Sequence, residues 1–140
     1  MFETGNTTTT QMSRHALEVR FLTRTQLEIS QMKACLPEEA IALEAPAVAQ
    51  IERMAHHISG AAESFEFSQI SAIAAAIELL CHDSRAKTYR ERLQLMHRLT
   101  EQVSALEVYV EFALAERTAQ EAAVAGLPMS AYLPGFRPRR

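Results

Sequence analysis

Hydrophobic positions recur every three or four residues along most of the chain, and this spacing predicts α-helices. In the first such stretch, about Ser13 to Leu36, the apolar side chains form one stripe that ends before Pro37. Three further stretches, about 46–64, 68–81 and 86–125, have the same spacing. The third helix is apolar nearly all round, which is typical of a helix buried on most sides. The pattern therefore predicts an all-α protein, an antiparallel four-helix bundle with short connections.

The two ends of the chain lack this periodicity. Residues 1–12 are polar and rich in threonine, so we expect an extra, disordered N-terminal segment. Residues 13–118 are expected to form the bundle, and residues 119–140 the end of the last helix and a flexible, extended C-terminal tail. Between the second and third helices, Phe65 to Phe67 is a predicted turn, with Ser68 as the N-cap of the third helix.

Composition and charge narrow the classes of function. Lysine and arginine number 14 against 17 acidic residues, a net charge of -3, whereas a nucleic-acid binder needs a basic face. No apolar run approaches the roughly 20 residues that a membrane-spanning helix requires. Two cysteines, Cys35 and Cys81, cannot build a disulfide framework, which favours a cytoplasmic location.

The most distinctive chemistry lies in the second helix. On a helical wheel its apolar residues occupy one side, while His56 and Gly60 lie on the outer side, four residues and therefore one turn apart. A glycine in an exposed helix costs about 1 kcal/mol relative to alanine, which the surrounding sequence uses freely. We therefore predict that Gly60 leaves room for another molecule to approach the ring of His56.

The run His56-His57-Ile58-Ser59-Gly60-Ala61-Ala62, followed by Phe65, resembles the core motif of the histidine-containing phosphotransfer (HPt) domain. That motif is His, any residue, Leu or Ile, Lys, Gly, two small residues, and an apolar residue three positions on. The helical pattern that resembles the family covers roughly residues 14–116. Further residues fit the family pattern on either side of the motif: Ala55, Ile73, Ile77, Glu78 and Leu80.

The resemblance implies a phosphorelay intermediate and not an autonomous kinase. His56 would accept a phosphoryl group from the aspartate of a response-regulator receiver domain and pass it to another receiver. The receiver would supply Mg²⁺, and this chain would bind no cofactor and act as a monomer. Receiver domains, and a hybrid histidine kinase, are the implied partners. The residues expected to contact them are Glu52, Arg53, Ser59, Gly60 and Glu63.

Two positions depart from the family pattern. Ser59 stands where the family has a lysine that offsets phosphoryl charge, and Glu66 stands where it often has a glycine in the turn. Loss of the lysine has its greatest effect where charge moves in the transition state. The sequence therefore leaves a second hypothesis, a helical adaptor that binds a receiver or kinase domain without being phosphorylated.

Two other interpretations of the histidines are weaker. Glu52, His56, His57 and Glu63 are close in sequence, but a zinc site needs three or four converging ligands. No second group of ligands has a recognisable spacing, because His82 and His97 are isolated in the sequence. His57 is interpreted as a polar surface residue. If it were the phosphoryl acceptor, the residue four positions on would be Ala61, where the family motif has glycine.

Overall fold

The computed structural model describes residues 3–83 and 88–126, and for residues 3–12, 41 and 125 it describes the backbone alone. These ranges contain no strand, and the prediction of an all-α helical bundle is confirmed. None of the described helices is long and apolar enough to cross a membrane. The helices are α1 (Glu3–Cys35), a short 3₁₀ helix (Ala40–Ala42), α2 (Ala45–Ser64), α3 (Ser68–His82) and α4 (Tyr89–Ala125).

The two ends of the chain differ in how they match the prediction. We expected disorder over 1–12, but α1 begins at Glu3 and runs through the threonines, which corrects that expectation. Threonine costs at most about 0.7 kcal/mol in a helix, and extending a formed helix requires no new nucleus. At the other end, α4 stops at Ala125 because Gly126 adopts a left-handed φ of 76°. The predicted tail over 127–140 lies outside the described residues.

The helix starts show which local signals set the boundaries. Pro46 occupies the first turn of α2, as its fixed φ favours. The hydroxyl of Thr88 accepts a hydrogen bond from the backbone N–H of Glu91 at 3.2 Å, so α4 begins later than the predicted residue 86. Ser68 is not the N-cap of α3, which corrects that prediction. Phe67 takes this place without a side-chain hydrogen bond, and its carbonyl accepts from the N–H of Ser71.

The chain divides into two compact units, residues 25–110 and residues 1–24 together with 111–140. In the unit formed by residues 1–24 and 111–140, Glu18 of α1 accepts a hydrogen bond from Arg117 of α4. In the same unit, Nε2 of His15 lies 2.9 Å from Oε1 of Glu121. These pairs link the start of α1 to the end of α4.

The unit over 25–110 has an apolar core to which all four helices contribute. In α2 the buried side chains recur at three and four residues, so the opposite face of this helix remains exposed. Burying each large aliphatic side chain contributes about 1.5–3 kcal/mol, which fixes the orientation of α2 and α3. The fully buried large side chains of this unit are Thr25, Ile29, Met32, Ile51, Ile58, Ile77, Leu99, Val103, Leu106 and Val110.

Candidate functional site

The centre of the site is a histidine–glutamate pair between α2 and α3. The side chain of His56 is 72% exposed, and its Nδ1 lies 2.6 Å from Oε2 of Glu78. Glu78 is half-buried, with 33% of its side chain exposed. The buried stripe of α2 directs His56 outward, and α3 places the carboxylate beside the ring.

This pair determines which ring nitrogen of His56 is available for chemistry. A carboxylate oxygen can only accept a hydrogen bond, so Nδ1 carries the hydrogen and donates it to Glu78. In the neutral ring Nε2 then holds the lone pair. Nε2 forms no hydrogen bond with any of the described residues. The site therefore presents a positioned and exposed nitrogen nucleophile.

A second pair of the same kind lies one helical turn away. Nδ1 of His82, on α3, is 3.1 Å from Oε1 of Glu52, which precedes His56 by four residues on α2. His82 is 75% exposed. The sequence analysis treated His82 as isolated, and the structure corrects this. The site thus includes two carboxylates, one from each helix, and each of them is hydrogen-bonded to an imidazole from the other helix.

Ser59 and Ser71 form a reciprocal polar contact that joins the two helices. The Ser59 hydroxyl donates to the carbonyl oxygen of Ser71 at 3.2 Å, and the Ser71 hydroxyl donates to the carbonyl oxygen of Ser59 at 3.1 Å. Both residues are half-buried. We predicted that Ser59 contacts a partner, and that prediction remains untested, but its hydroxyl is engaged between α2 and α3.

Gly60 lies on the exposed face one turn after His56. A Cβ atom added at Gly60 would meet no atom of the described chain within 4 Å, so internal packing does not require a glycine here. Two further residues predicted to contact a partner, Arg53 and Glu63, are also exposed on α2. His57 is exposed too, with its ring centroid 6.1 Å from that of His56.

The turn after α2 uses glutamate where the family pattern often has glycine. Glu66 adopts a left-handed φ of 64°, which side chains disfavour. The N–H of Phe67 donates to the carbonyl of Ala62 at 2.9 Å, and the N–H of Glu66 donates to that of Glu63 at 3.0 Å. These two bonds form a Schellman motif, which ends α2 and sets the approach of α3. The predicted turn at Phe65 to Phe67 is therefore present.

Other chemistry receives little support around this site. In the described part of the chain, no three His, Cys, Asp or Glu side chains are grouped so that they could hold a metal ion. Cys35 and Cys81 are free thiols. Burial, with a smaller contribution from Glu52, raises the pKa of the Cys81 thiol from 9.0 to about 12. A thiol of this kind is a poor nucleophile at neutral pH.

A comparison with known protein families agrees with the helical fold described above. A family model for the Hpt domain matches residues 17–109, which is more than half of the chain and includes α2 and α3. The chain belongs to the Hpt domain family, whose members carry out histidine phosphotransfer in two-component phosphorelays and interact with receiver domains and kinases. No curated protein and no solved structure matches the chain.

Three site residues were missed as functional partners in the sequence analysis. Glu78 was noted only as part of a family pattern, and the contacts of Ser71 and His82 were not predicted. The sequence does contain one signal for these pairs. On α2 a glutamate, Glu52, precedes a histidine, His56, by four residues, and α3 repeats this spacing with Glu78 and His82. In two adjacent antiparallel helices, such matched spacings allow two cross-helix pairs.

Proposed function

We propose that Nε2 of His56 accepts a phosphoryl group from the aspartyl phosphate of a receiver domain and passes it to another receiver. One observation carries this proposal: an exposed imidazole whose Nδ1 is held by Glu78 at 2.6 Å. The matched family gives the class of reaction. The hydrogen bond supports Nε2 as the reacting nitrogen of His56, and the motif that ends in Gly60 favours His56 over His82. The chain would act as a monomeric cytoplasmic carrier, where its two free thiols would remain reduced.

The transfer step is a displacement at phosphorus. The lone pair of Nε2 attacks the phosphorus of the acyl phosphate, the N–P bond forms, and the bond from phosphorus to the aspartate oxygen breaks. The electron pair of that bond stays on the aspartate carboxylate. Nδ1 keeps its hydrogen, so the phosphorylated ring carries a positive charge. The phosphoryl oxygens keep their negative charges. Return of the group to a receiver is the reverse of this step.

Glu78 has two roles in this mechanism. Its hydrogen bond fixes the tautomer in which Nε2 holds the lone pair, as the orienting group of a catalytic base does. Its negative charge also stabilises the positive ring that forms during transfer. Glu78 is half-buried, and its interaction with His56 is therefore less screened than that of a fully exposed pair.

The receiver would dock on the exposed face of α2 around His56. Gly60 leaves the backbone uncovered one turn away, and Glu52, Arg53 and Glu63 surround it on the same helix. Mg²⁺, which the receiver would hold, neutralises charge on the transferring phosphoryl group. The chain itself contributes the nucleophile, its orientation and a surface that admits the receiver.

A phosphotransfer assay tests the proposal. Receiver domains are phosphorylated with a small-molecule phosphodonor and Mg²⁺, then mixed with wild-type protein, His56→Gln and His57→Gln. We expect phosphate that is acid-labile and alkali-stable on the wild type and on His57→Gln, and none on His56→Gln. Equal labelling of His56→Gln would refute the assignment. Binding of receivers without any label on the wild type would instead support the adaptor hypothesis.

A further inference from the structure

Phosphorylation would place a strong negative charge on a surface that is already acidic. A phosphoryl group adds roughly −1.5 to −2 charges near neutral pH. From the start of α2 to the end of α3, residues 45–82, the chain has four carboxylates: Glu52, Glu63, Glu66 and Glu78. Over the same range it has one permanently charged cation, Arg53. Arg53 is therefore the one permanently charged cation that these two helices can offer to a phosphoryl group on His56.

Arg53 is placed to reach the phosphoryl group. It precedes His56 by three residues on the exposed side of α2, and residues with this spacing have Cβ atoms about 5–6 Å apart. Both side chains lean towards the N-terminus of the helix, so this tilt leaves their separation unchanged, and the long, flexible side chain of Arg53 can span it. No carboxylate among the described residues forms an ion pair with Arg53.

The position after the histidine does not offer an equivalent group. Ser59 follows His56 by three residues, but its hydroxyl donates to the carbonyl oxygen of Ser71 on α3. Serine has no positive charge, and this hydrogen bond turns its donor away from the exposed face. Compensation of the phosphoryl charge from this side of His56 would require a different residue.

We propose that the guanidinium of Arg53 donates hydrogen bonds to the phosphoryl oxygens of phosphorylated His56 and supplies the charge compensation that Ser59 cannot. The proposal rests on the proposed function of His56. A guanidinium presents two parallel N–H groups that match two phosphoryl oxygens, so the contact is bidentate and favours arginine over lysine. Arg53 would thus stabilise the phosphorylated state directly.

The test measures the phosphoryl group itself. Phosphoramidate, a small-molecule donor to histidine, loads the full-length protein without any receiver, and His56→Gln identifies the signal that belongs to His56. The ionisation of the phosphoryl group on His56 is then followed by ³¹P NMR as a function of pH, which gives the phosphoryl pKa in the wild type, Arg53→Gln and Arg53→Lys. An opposite charge favours the more ionised phosphoryl, so removing Arg53 should raise its pKa by about one unit. Arg53→Lys should raise the phosphoryl pKa by less than Arg53→Gln, because lysine keeps the positive charge.

A matched control removes the same charge elsewhere in the unit over 25–110. Arg98 is exposed on α4 and lines a groove with Leu79 of α3 and with Asp83, which follows that helix. Arg98→Gln should leave the phosphoryl titration unchanged. Ser59→Lys, introduced into Arg53→Gln, should bring the phosphoryl pKa most of the way back to its wild-type value, because a lysine three residues after His56 is flexible enough to return a cation to the phosphoryl group.

The outcomes separate this inference from the proposed function. An unchanged phosphoryl titration in Arg53→Gln would overturn it, even if transfer from receivers falls, because Arg53 would then act in docking alone. A raised phosphoryl pKa together with about tenfold slower loading from a phosphorylated receiver would support it. Failure of every receiver to label the wild type would count against the proposed function, whereas the chemically loaded protein would still report on Arg53.

Discussion

Gly60 allows docking to be separated from folding. The residue is exposed within α2, and an added Cβ would meet no atom of the described chain within 4 Å. Gly60→Ala therefore introduces no clash and gains about 1 kcal/mol of helix propensity. Gly60→Gln gains about 0.5 kcal/mol for the same reason, and places a longer side chain one turn from His56.

Both variants should raise stability, and the longer side chain of Gly60→Gln should also lower transfer. We expect Gly60→Ala to increase the free energy of unfolding in urea by about 1 kcal/mol and the Tm by about 4 °C. Gly60→Gln should slow loading from a phosphorylated receiver by about tenfold or more, which corresponds to about 1.4 kcal/mol of lost transition-state stabilisation. Chemical loading by phosphoramidate should not change, because this small donor needs no docking surface.

The measurement combines urea denaturation with initial rates of loading from one receiver. If Gly60→Gln transfers phosphate as fast as the wild type, Gly60 does not mark the docking surface. If Gly60→Ala is destabilised, an internal contact requires the glycine, contrary to the open space around it.

Three further predictions concern other parts of the unit over 25–110. Glu78→Gln removes the charge beside His56, so loading from a receiver should fall about tenfold while the free energy of unfolding changes by less than about 1 kcal/mol; an unchanged rate would contradict the role assigned to this carboxylate. Glu66→Gly relieves the left-handed φ of 64° and should raise the free energy of unfolding by about 1 kcal/mol without changing transfer, and a loss of stability in urea would contradict the account of the turn. Burial raises the pKa of Cys81 from 9.0 to about 12, so the folded state binds this proton more tightly, and Cys81 should make stability decline as the pH rises through that window. At pH 8 a thiol reagent should label Cys35 much faster than Cys81 in the native protein and both equally in urea, and equal native rates would refute the burial argument.

The residues around His56 show what a sequence pattern can establish. The buried stripe of α2 follows directly from hydrophobic spacing, so the sequence alone predicted the outward positions of His56 and Gly60 on this helix. The family resemblance also pointed to the correct class of protein, which the match over residues 17–109 confirms. Both results depend on local spacing, which a sequence records well.

The contacts between helices could not be predicted in the same way. The hydrogen bond from His56 to Glu78 and the contact between Ser59 and Ser71 depend on the register of α2 against α3. That register follows from core packing and from the turn at Glu66, whose left-handed conformation glutamate does not favour. Spacing within one helix does not contain this information.

The helix boundaries were limited by weaker signals. α1 begins at Glu3 because a run of low-propensity residues can still extend a formed helix. The cap at Thr88 has the pattern of a serine or threonine followed three residues later by glutamate. Thr88 together with Glu91 is therefore the local signal in the sequence for the start of α4.

The most direct test of the central claim is to identify the ring nitrogen that carries the phosphate. Wild-type protein labelled with ¹⁵N in its histidines is loaded from a phosphorylated receiver, and N–P coupling is measured by NMR, with His56→Gln and His57→Gln for assignment. Because Nδ1 of His56 donates to Glu78, the account predicts one phosphate on Nε2 of His56. Phosphate on Nδ1 of that ring, or on His57 or His82 with His56 unmodified, would contradict it.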